Sequence, residues 1–85
     1  MATSRTLSVT VVSPEGAIFQ GKAVAVSSWN DKGKFDILPQ HANFITLIRE
    51  KAILRLDSSK GKEVEFKQGI LYCNNNQVEI FLGIE

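Results

Sequence analysis

The sequence of 85 residues has few of the side chains that build disulfides and metal centres, since it contains one cysteine, Cys73, and one histidine, His41. A single cysteine excludes an internal disulfide and a cysteine-based zinc site, and it favours a reducing compartment. The ligands of a metal ion would have to come mainly from carboxylates, and no histidine or cysteine pair has ligand spacing. We therefore expect neither a metal nor a cofactor.

Excess charge and long apolar runs are missing as well. Ten basic and nine acidic side chains give a formal net charge of +1, whereas nucleic-acid-binding domains usually carry a clear basic excess. No apolar run approaches the roughly 18 residues of a membrane-spanning helix, and the first residues lack the apolar segment of a secretory signal. The length suits a single domain over residues 1–85.

Short apolar runs alternate with turn-forming clusters about every 8–12 residues, which is typical of an all-β sandwich or barrel. Leu7, Val9 and Val11 alternate with polar residues, and Ser13-Pro14-Glu15-Gly16 has the composition of a β-turn. The run Asn74–Asn76 suits a turn with left-handed backbone. We predict an all-β fold, a sandwich of two antiparallel sheets with about ten short strands between residues 7 and 82.

The segment 40–51 is ambiguous. Phe44, Leu47, Ile48 and Lys51 fit one face of a helix, whereas Phe44, Thr46 and Ile48 alternate as in a strand. The β-branched residues favour the strand.

A separate hairpin is predicted after this segment, with its tip at Ser58-Ser59-Lys60-Gly61. In its second strand Val64 and Phe66 should point inward, and Gly69 is expected to end that strand. Its outward side chains are expected to form a solvated polar face: Glu63, Glu65 and Lys67.

A catalytic site is arithmetically possible but has no supporting motif. His41 could combine with Asp36 and with Ser27 or Ser28, yet the Gly-x-Ser-x-Gly turn of serine hydrolases is absent. A chain of this length also leaves little room for an oxyanion pocket. We expect no enzyme activity from this chain alone.

A small nucleic-acid or sugar-binding β module is the alternative hypothesis. Trp29 and Phe35 could stack on bases or sugars beside lysine-containing loops, although Trp29 is more simply an aromatic residue packed on the core at the sandwich edge. The glycines before Lys34 and Lys62 lack the spacing of a phosphate-binding loop. Cys73 is expected to be a half-buried core residue.

The stretch from Phe35 to Ala42, with the sequence FDILPQHA, is explained by none of these hypotheses. Pro39 ends a strand, and His41 follows in what should be an exposed corner. Such a corner is either structural, with a hydrogen-bonded histidine, or a contact surface, because loops on a rigid β scaffold commonly carry binding function.

These motifs together resemble a known family, the epsilon subunits of F-type ATP synthases, in their N-terminal β-sandwich. The resemblance keeps its order and spacing from about Leu7 to Leu82, and five stretches carry it: Leu7–Gly16, Ile18–Gly21, Gly33–Ala42, Gly69–Leu71 and Val78–Ile80. It implies a sandwich of two antiparallel sheets and a non-catalytic subunit of the central rotor of a proton-translocating synthase.

The resemblance also implies partners and contact residues. The subunit would join the foot of the gamma subunit to the c-ring, with Ser13 and His41 near gamma and with Gly33, Lys34 and Phe35 at the ring. No nucleic acid and no small-molecule substrate is implied. Contact with the membrane would be indirect, through the c-ring, on the cytoplasmic face of the bacterial inner membrane.

Three departures from the family pattern change what is expected. Lys34 stands at a position that is often acidic, and Glu50-Lys51 replaces a common Pro-Gly turn. The family usually continues into two C-terminal helices that can inhibit ATP hydrolysis or bind ATP, whereas this sequence stops at Glu85. A naturally short form should leave no large apolar patch where those helices would dock, because exposed patches promote association.

Overall fold

Seven β-strands and no helix are found in the computed structural model, which describes residues 6–57 and 59–83. Ser58 of the predicted hairpin tip and Glu85 lie outside the described residues. Within them, nothing forms a helix that could cross a membrane. The strands are β1 (Leu7–Ser13), β2 (Gly16–Ala23), β3 (Ala25–Asn30), β4 (Gly33–Ile37), β5 (Phe44–Arg55), β6 (Gly61–Asn74) and β7 (Gln77–Leu82).

The strands form one continuous hydrogen-bonded sheet in the order β2-β1-β7-β6-β5-β3-β4. Every neighbouring pair is antiparallel except β1 and β7, which are parallel. The prediction of two separate antiparallel sheets is therefore wrong in its pairing. Alternation of apolar residues reports which face of a strand is buried, but it carries no information about the direction of its neighbour.

The single sheet closes on itself to make a sandwich. One layer contains β2, β1 and β7, and the other contains β3 and β4; the long strands β5 and β6 belong to both. Val9 and Ile80 of the first layer share one fully buried core with Val26 and Leu54 of the second. Since no helix covers the described sheet, each layer must cover the other. The all-β sandwich prediction is confirmed.

The strand count differs from the predicted ten because two long strands replace several short ones. β5 has 12 residues and β6 has 14, so the ambiguous segment is a strand that runs directly into the predicted hairpin. The register of β5 against β6 shifts between Arg49 and Glu50, where β5 and β6 pass from one layer to the other. Counting the halves of β5 and β6 separately gives nine segments, close to the prediction.

Gly69 lies inside β6 and does not end it, which contradicts the prediction. A Cβ atom at this position would lie 2.8 Å from the Phe81 carbonyl oxygen and 3.2 Å from Leu82 Cδ2. The glycine therefore permits close approach of β6 to β7.

The predicted turns are present. Ser13 pairs with Gly16 across a two-residue turn, and Asn75 and Asn76 have φ of 51° and 64°, as left-handed turn positions require. Cys73 is fully buried, more than the half-burial expected, and this burial raises the pKa of its thiol.

The turn between β5 and β6 gives a pH-dependent contribution to stability. Asp57 accepts hydrogen bonds from the backbone N–H groups of Ser59 at 2.8 Å and Lys60 at 2.7 Å, which lower the pKa of its carboxyl below 3.8. The stabilisation is complete above that value and is lost as the pH falls toward the lowered pKa. We expect Asp57→Ala to lower the free energy of unfolding at about pH 6, and the effect should shrink as the pH is lowered to about 2. Urea unfolding of both proteins at the two pH values measures the difference, and a difference independent of pH would contradict this assignment.

Candidate docking surfaces

The outward side of the first layer is apolar. In this structure Leu47 of β5 lies opposite Ile70 of β6, Ile70 lies opposite Phe81 of β7, and Phe81 lies opposite Val12 of β1. These four side chains form a row across four strands, and a second row begins with the pair formed by Ile45 and Tyr72. We call this surface the apolar face: Val12, Ile45, Leu47, Ile70, Tyr72 and Phe81.

Much of the apolar face is open to solvent. Leu47 is 69% exposed, Ile45 is 64% exposed, and Tyr72 and Phe81 are each 38% exposed. Large apolar side chains scattered over a surface are ordinary, but here they are adjacent across paired strands. The expectation about an apolar patch concerns the surface on which C-terminal helices would dock, and it stays a prediction. Contiguous exposed apolar surface is a feature of binding sites, protein–protein interfaces among them.

A signal for this face is present in the sequence. In Phe44–Ile48 and Gly69–Cys73 apolar residues occupy both alternating sets of positions, whereas a half-solvated strand shows only one. Of these residues, only Cys73 is predicted from the sequence to lie in the core, and the outward ones are given no role.

The outward side of the second layer is charged, and we call it the charged face: Trp29, Lys34, Lys51, Glu63 and Glu65. The predicted polar face is confirmed here, since Glu63, Glu65 and Lys67 are exposed while Val64 is buried and Phe66 is partly buried against the core. Lys51 Nζ lies 3.6 Å from Glu63 Oε1, a pairing that contributes little at this exposure.

Trp29 lies on the charged face and is not among the side chains packed on the core, which corrects the simpler expectation for it. Its ring is approached by Lys34 Nζ at 5.8 Å and by Lys51 Nζ at 5.5 Å. Cation–π contacts of this length hold the lysines over the indole. The Phe35 side chain packs inward, so the two aromatic side chains of the alternative hypothesis do not form a common stacking surface.

His41 lies in an exposed corner, as predicted. Its Nδ1 is 2.8 Å from the Ala42 carbonyl oxygen, and its ring centroid is 5.0 Å from that of Phe44. The backbone N–H of Gln40 donates to Asn76 Oδ1 at 2.7 Å, and Asn43 Oδ1 accepts from the Asn75 N–H at 2.9 Å. The corner is therefore tied to the turn between β6 and β7, at one end of the first layer.

Ser13 lies at the other end of the first layer. Its hydroxyl donates to the Gly16 carbonyl oxygen at 3.0 Å and accepts from the Glu15 N–H at 3.3 Å, which closes the turn between β1 and β2. Ser8, near the start of β1, is bonded through its N–H to the Asn76 carbonyl at 2.8 Å, beside the His41 corner. Five residue-to-residue steps of extended strand separate Ser8 from Ser13, a distance of about 17 Å. The structure thus does not bring Ser13 and His41 together. They lie at opposite ends of the first layer, and the apolar face extends between those ends.

The other three predicted contact residues begin β4, directly after the turn of Asp31 and Lys32. Gly33 is exposed with a φ of 115°, which favours glycine, and Lys34 is exposed beside Trp29. Phe35 is half-buried, packed on the core with its ring edge-on to that of Phe44 at a centroid distance of 5.9 Å. Of the three predicted contact residues, Gly33 and Lys34 are therefore exposed, as are Asp31 and Lys32 of the turn itself.

The candidate triad residues do not assemble around His41. The Ser27 hydroxyl donates directly to the Asp36 carboxylate, and the buried Ser28 hydroxyl donates to the Lys51 carbonyl at 2.8 Å. Within residues 6–57 and 59–83, no group of three or more histidine, cysteine or carboxylate side chains is placed to hold a metal ion.

The described residues form an all-β sandwich with one apolar and one charged outer face. The family model for the "ATP synthase, Delta/Epsilon chain, beta-sandwich domain" matches residues 6–83. The chain belongs to this ATP synthase family. The ATP synthase epsilon chain of a Nitratiruptor species is 33% identical over 85% of this chain, and that of Clostridium novyi is 32% identical over 91%.

The chain spans 57% and 60% of the lengths of these two relatives. A chain in the Euglena gracilis mitochondrial ATP synthase structure with OSCP, F1 and c-ring has a TM-score of 0.87 at 14% identity, over 96% of this chain and 53% of that one. A chain in the Tetrahymena thermophila mitochondrial central stalk and c-ring structure has a TM-score of 0.75 at 10% identity, over 99% and 67%. These likenesses show the fold.

Proposed function

We propose that this sandwich is a non-catalytic rotor module of a proton-translocating ATP synthase, which joins the foot of the gamma subunit to the c-ring. The observation that carries the proposal is the apolar face. It is an uncovered sheet face in a member of a family whose characterised proteins are subunits of a larger assembly. In the assembly the module would be peripheral to the cytoplasmic face of the bacterial inner membrane.

The apolar face is the proposed gamma-binding surface. Ser13 and His41, the two residues that the family resemblance places near gamma, lie at the opposite ends of the same layer. A partner that covers the apolar face would reach both. Burial of adjacent apolar side chains supplies the affinity, and the polar side chains at the two ends fix the orientation.

The start of β4, with Gly33, Lys34 and Phe35, is the proposed c-ring contact. It belongs to the second layer, so it remains accessible when a partner covers the apolar face of the first. β5 connects the two regions through continuous hydrogen bonds, since Leu47 lies on the apolar face and Arg49 pairs with Trp29 of β3. A force applied at the start of β4 would therefore pass to the apolar face through a hydrogen-bonded sheet, as rotational coupling requires.

Reconstitution tests the proposal. The chain is mixed at micromolar concentration with an F1 assembly depleted of its own epsilon subunit, then with purified c-ring, and each mixture is separated by size-exclusion chromatography. We expect the chain to co-elute with the F1 assembly and to increase the retention of the c-ring. Elution of the chain by itself in both mixtures would overturn the proposal.

Replacement of His41 by alanine is expected to weaken binding to the F1 assembly roughly fivefold to tenfold without unfolding the domain. The His41 side chain is exposed and its ring nitrogen interacts only with the neighbouring Ala42 carbonyl, so its loss leaves no buried group unpaired. Binding is measured by titration and folding by thermal unfolding. Lys60→Ala, in the connection between β5 and β6, is the control. Equal affinities of the His41 and Lys60 variants would rule out His41 as a contact.

A further inference from the structure

A cleft lies beside the point where β5 and β6 pass between the layers. Its volume is about 480 Å³, and its walls come from the β3–β4 turn, from β5 and from β6. Volumes of this size are within the range of small ligand sites, about 300–1,000 Å³. The side chains that matter for its chemistry are Asp31, Leu47, Arg49, Lys67 and Gln68.

A β-bulge puts two cations in this cleft. Arg49 lies opposite Gln68 and Glu50 lies opposite Phe66, so Lys67 is an extra residue with no partner on β5. Glu50 has a φ of 76°, a left-handed conformation that is uncommon for residues other than glycine. Bulges redirect side chains and are over-represented beside functional sites. Here the bulge places the Arg49 and Lys67 side chains in the same cleft.

The two cations have no ion-pair partner in the described part of the chain. The one salt bridge found there joins Lys51 and Glu63, outside the cleft, and Asp31 at the cleft wall is not within salt-bridge distance of either cation. The lining therefore has two positive charges and one negative charge. A single added carboxylate would neutralise it, and the planar guanidinium of Arg49 suits a carboxylate in two-point contact.

The cleft is continuous with the apolar face. Leu47 belongs to both, since it lines the cleft and pairs with Ile70 in the apolar row. A protein that covers the apolar face would therefore extend over the mouth of the cleft. Displacement of water from the mouth would strengthen a contact between ionic groups inside it.

We propose that this cleft receives an aspartate or glutamate side chain of the protein that docks on the apolar face, with Arg49 and Lys67 binding its carboxylate. The inference rests on the proposed function and adds the chemistry of one contact. Apolar burial would supply most of the affinity, and the ionic contact would fix the register of the partner along β5.

Zero-length cross-linking tests the proposal. A carbodiimide couples a lysine amine to a carboxylate in direct contact, so in the complex of this chain with epsilon-depleted F1 we expect Lys67 to be joined to an acidic residue of gamma. Mass spectrometry identifies the pair. Lys67→Arg keeps the charge but has no reactive amine, so it should retain affinity to within about threefold and lose the cross-link.

Affinity measurements complete the test. The double variant Arg49→Gln, Lys67→Gln is expected to weaken binding about tenfold or more and to make the affinity less dependent on salt. The control double variant, Lys60→Gln, Lys62→Gln, removes the same charge elsewhere and should change the affinity little. Unaltered affinity of the cleft variant, or absence of Lys67 from the cross-links, overturns this inference and leaves the proposed function in place. Absence of any binding by the unsubstituted chain overturns both.

Discussion

Replacement of Leu47 and Phe81 by serine is expected to lower affinity for the F1 assembly roughly 100-fold or more while the domain stays folded. Both side chains lie in the apolar row, separated by Ile70, and both are exposed in the free domain. Apolar anchors near the centre of an interface commonly contribute about 2 kcal/mol or more each when truncated. Because both positions face solvent before docking, the substitutions remove little of the core that holds the sandwich together.

The measurement is a binding titration accompanied by thermal unfolding of each variant. Ile53→Ser is the matched control for Leu47→Ser, because Ile53 projects from the same strand on the side of the charged face. It should leave gamma binding within about twofold of the original. If the double variant binds as tightly as the original chain, gamma docks elsewhere.

Replacement of Leu71 by alanine is expected to lower the free energy of unfolding by about 2–5 kcal/mol. Leu71 is fully buried in the common core, so the substitution loses transfer free energy and leaves a cavity. A domain of this length is expected to have a total stability of about 4–13 kcal/mol, so the loss is a large fraction of it.

Leu47→Ala provides the comparison, since it changes the same residue type on the neighbouring strand of the same layer but on the opposite face. We expect a change in unfolding free energy of about 0.5 kcal/mol or less. Urea unfolding measures both variants. The ranking of the two variants should be the opposite for gamma binding. Under conditions where both remain folded, Leu47→Ala should weaken gamma binding more than Leu71→Ala does. Similar stabilities of the two variants would contradict the assignment of core and outer faces.

The parts of the fold that depend on neighbouring residues in sequence were predictable. The alternation of Leu7, Val9 and Val11 identifies the inward face of β1, and the left-handed positions Asn75 and Asn76 follow from the tolerance of asparagine for positive φ. The interpretation of segment 40–51 as a strand is confirmed for Phe44 onward for the same reason.

The wrong predictions share a cause. Which strands pair, and which sheet face is covered, depends on residues that are far apart in sequence. Gly69 was expected to end a strand, because glycine disfavours strands in isolation, but close approach of β7 requires a glycine there. The outward residues of Phe44–Ile48 were not assigned a role, because one sequence does not show whether a second layer covers them. The predicted contacts remain predictions, and the structure adds their positions on separate parts of the sandwich: Ser13, His41, Gly33, Lys34 and Phe35.

The sequence by itself determined the all-β class, through its strand periodicity and turn clusters, and the family, through the order and spacing of its motifs. These properties are local, since each strand shows its buried face in its own alternation. Only the tertiary structure decided that β1 and β7 are parallel, that β5 and β6 cross both layers, and that one outer face is apolar. The physical reason is that a side chain is covered or exposed according to which strands and layers adjoin it, and those neighbours are distant in the chain.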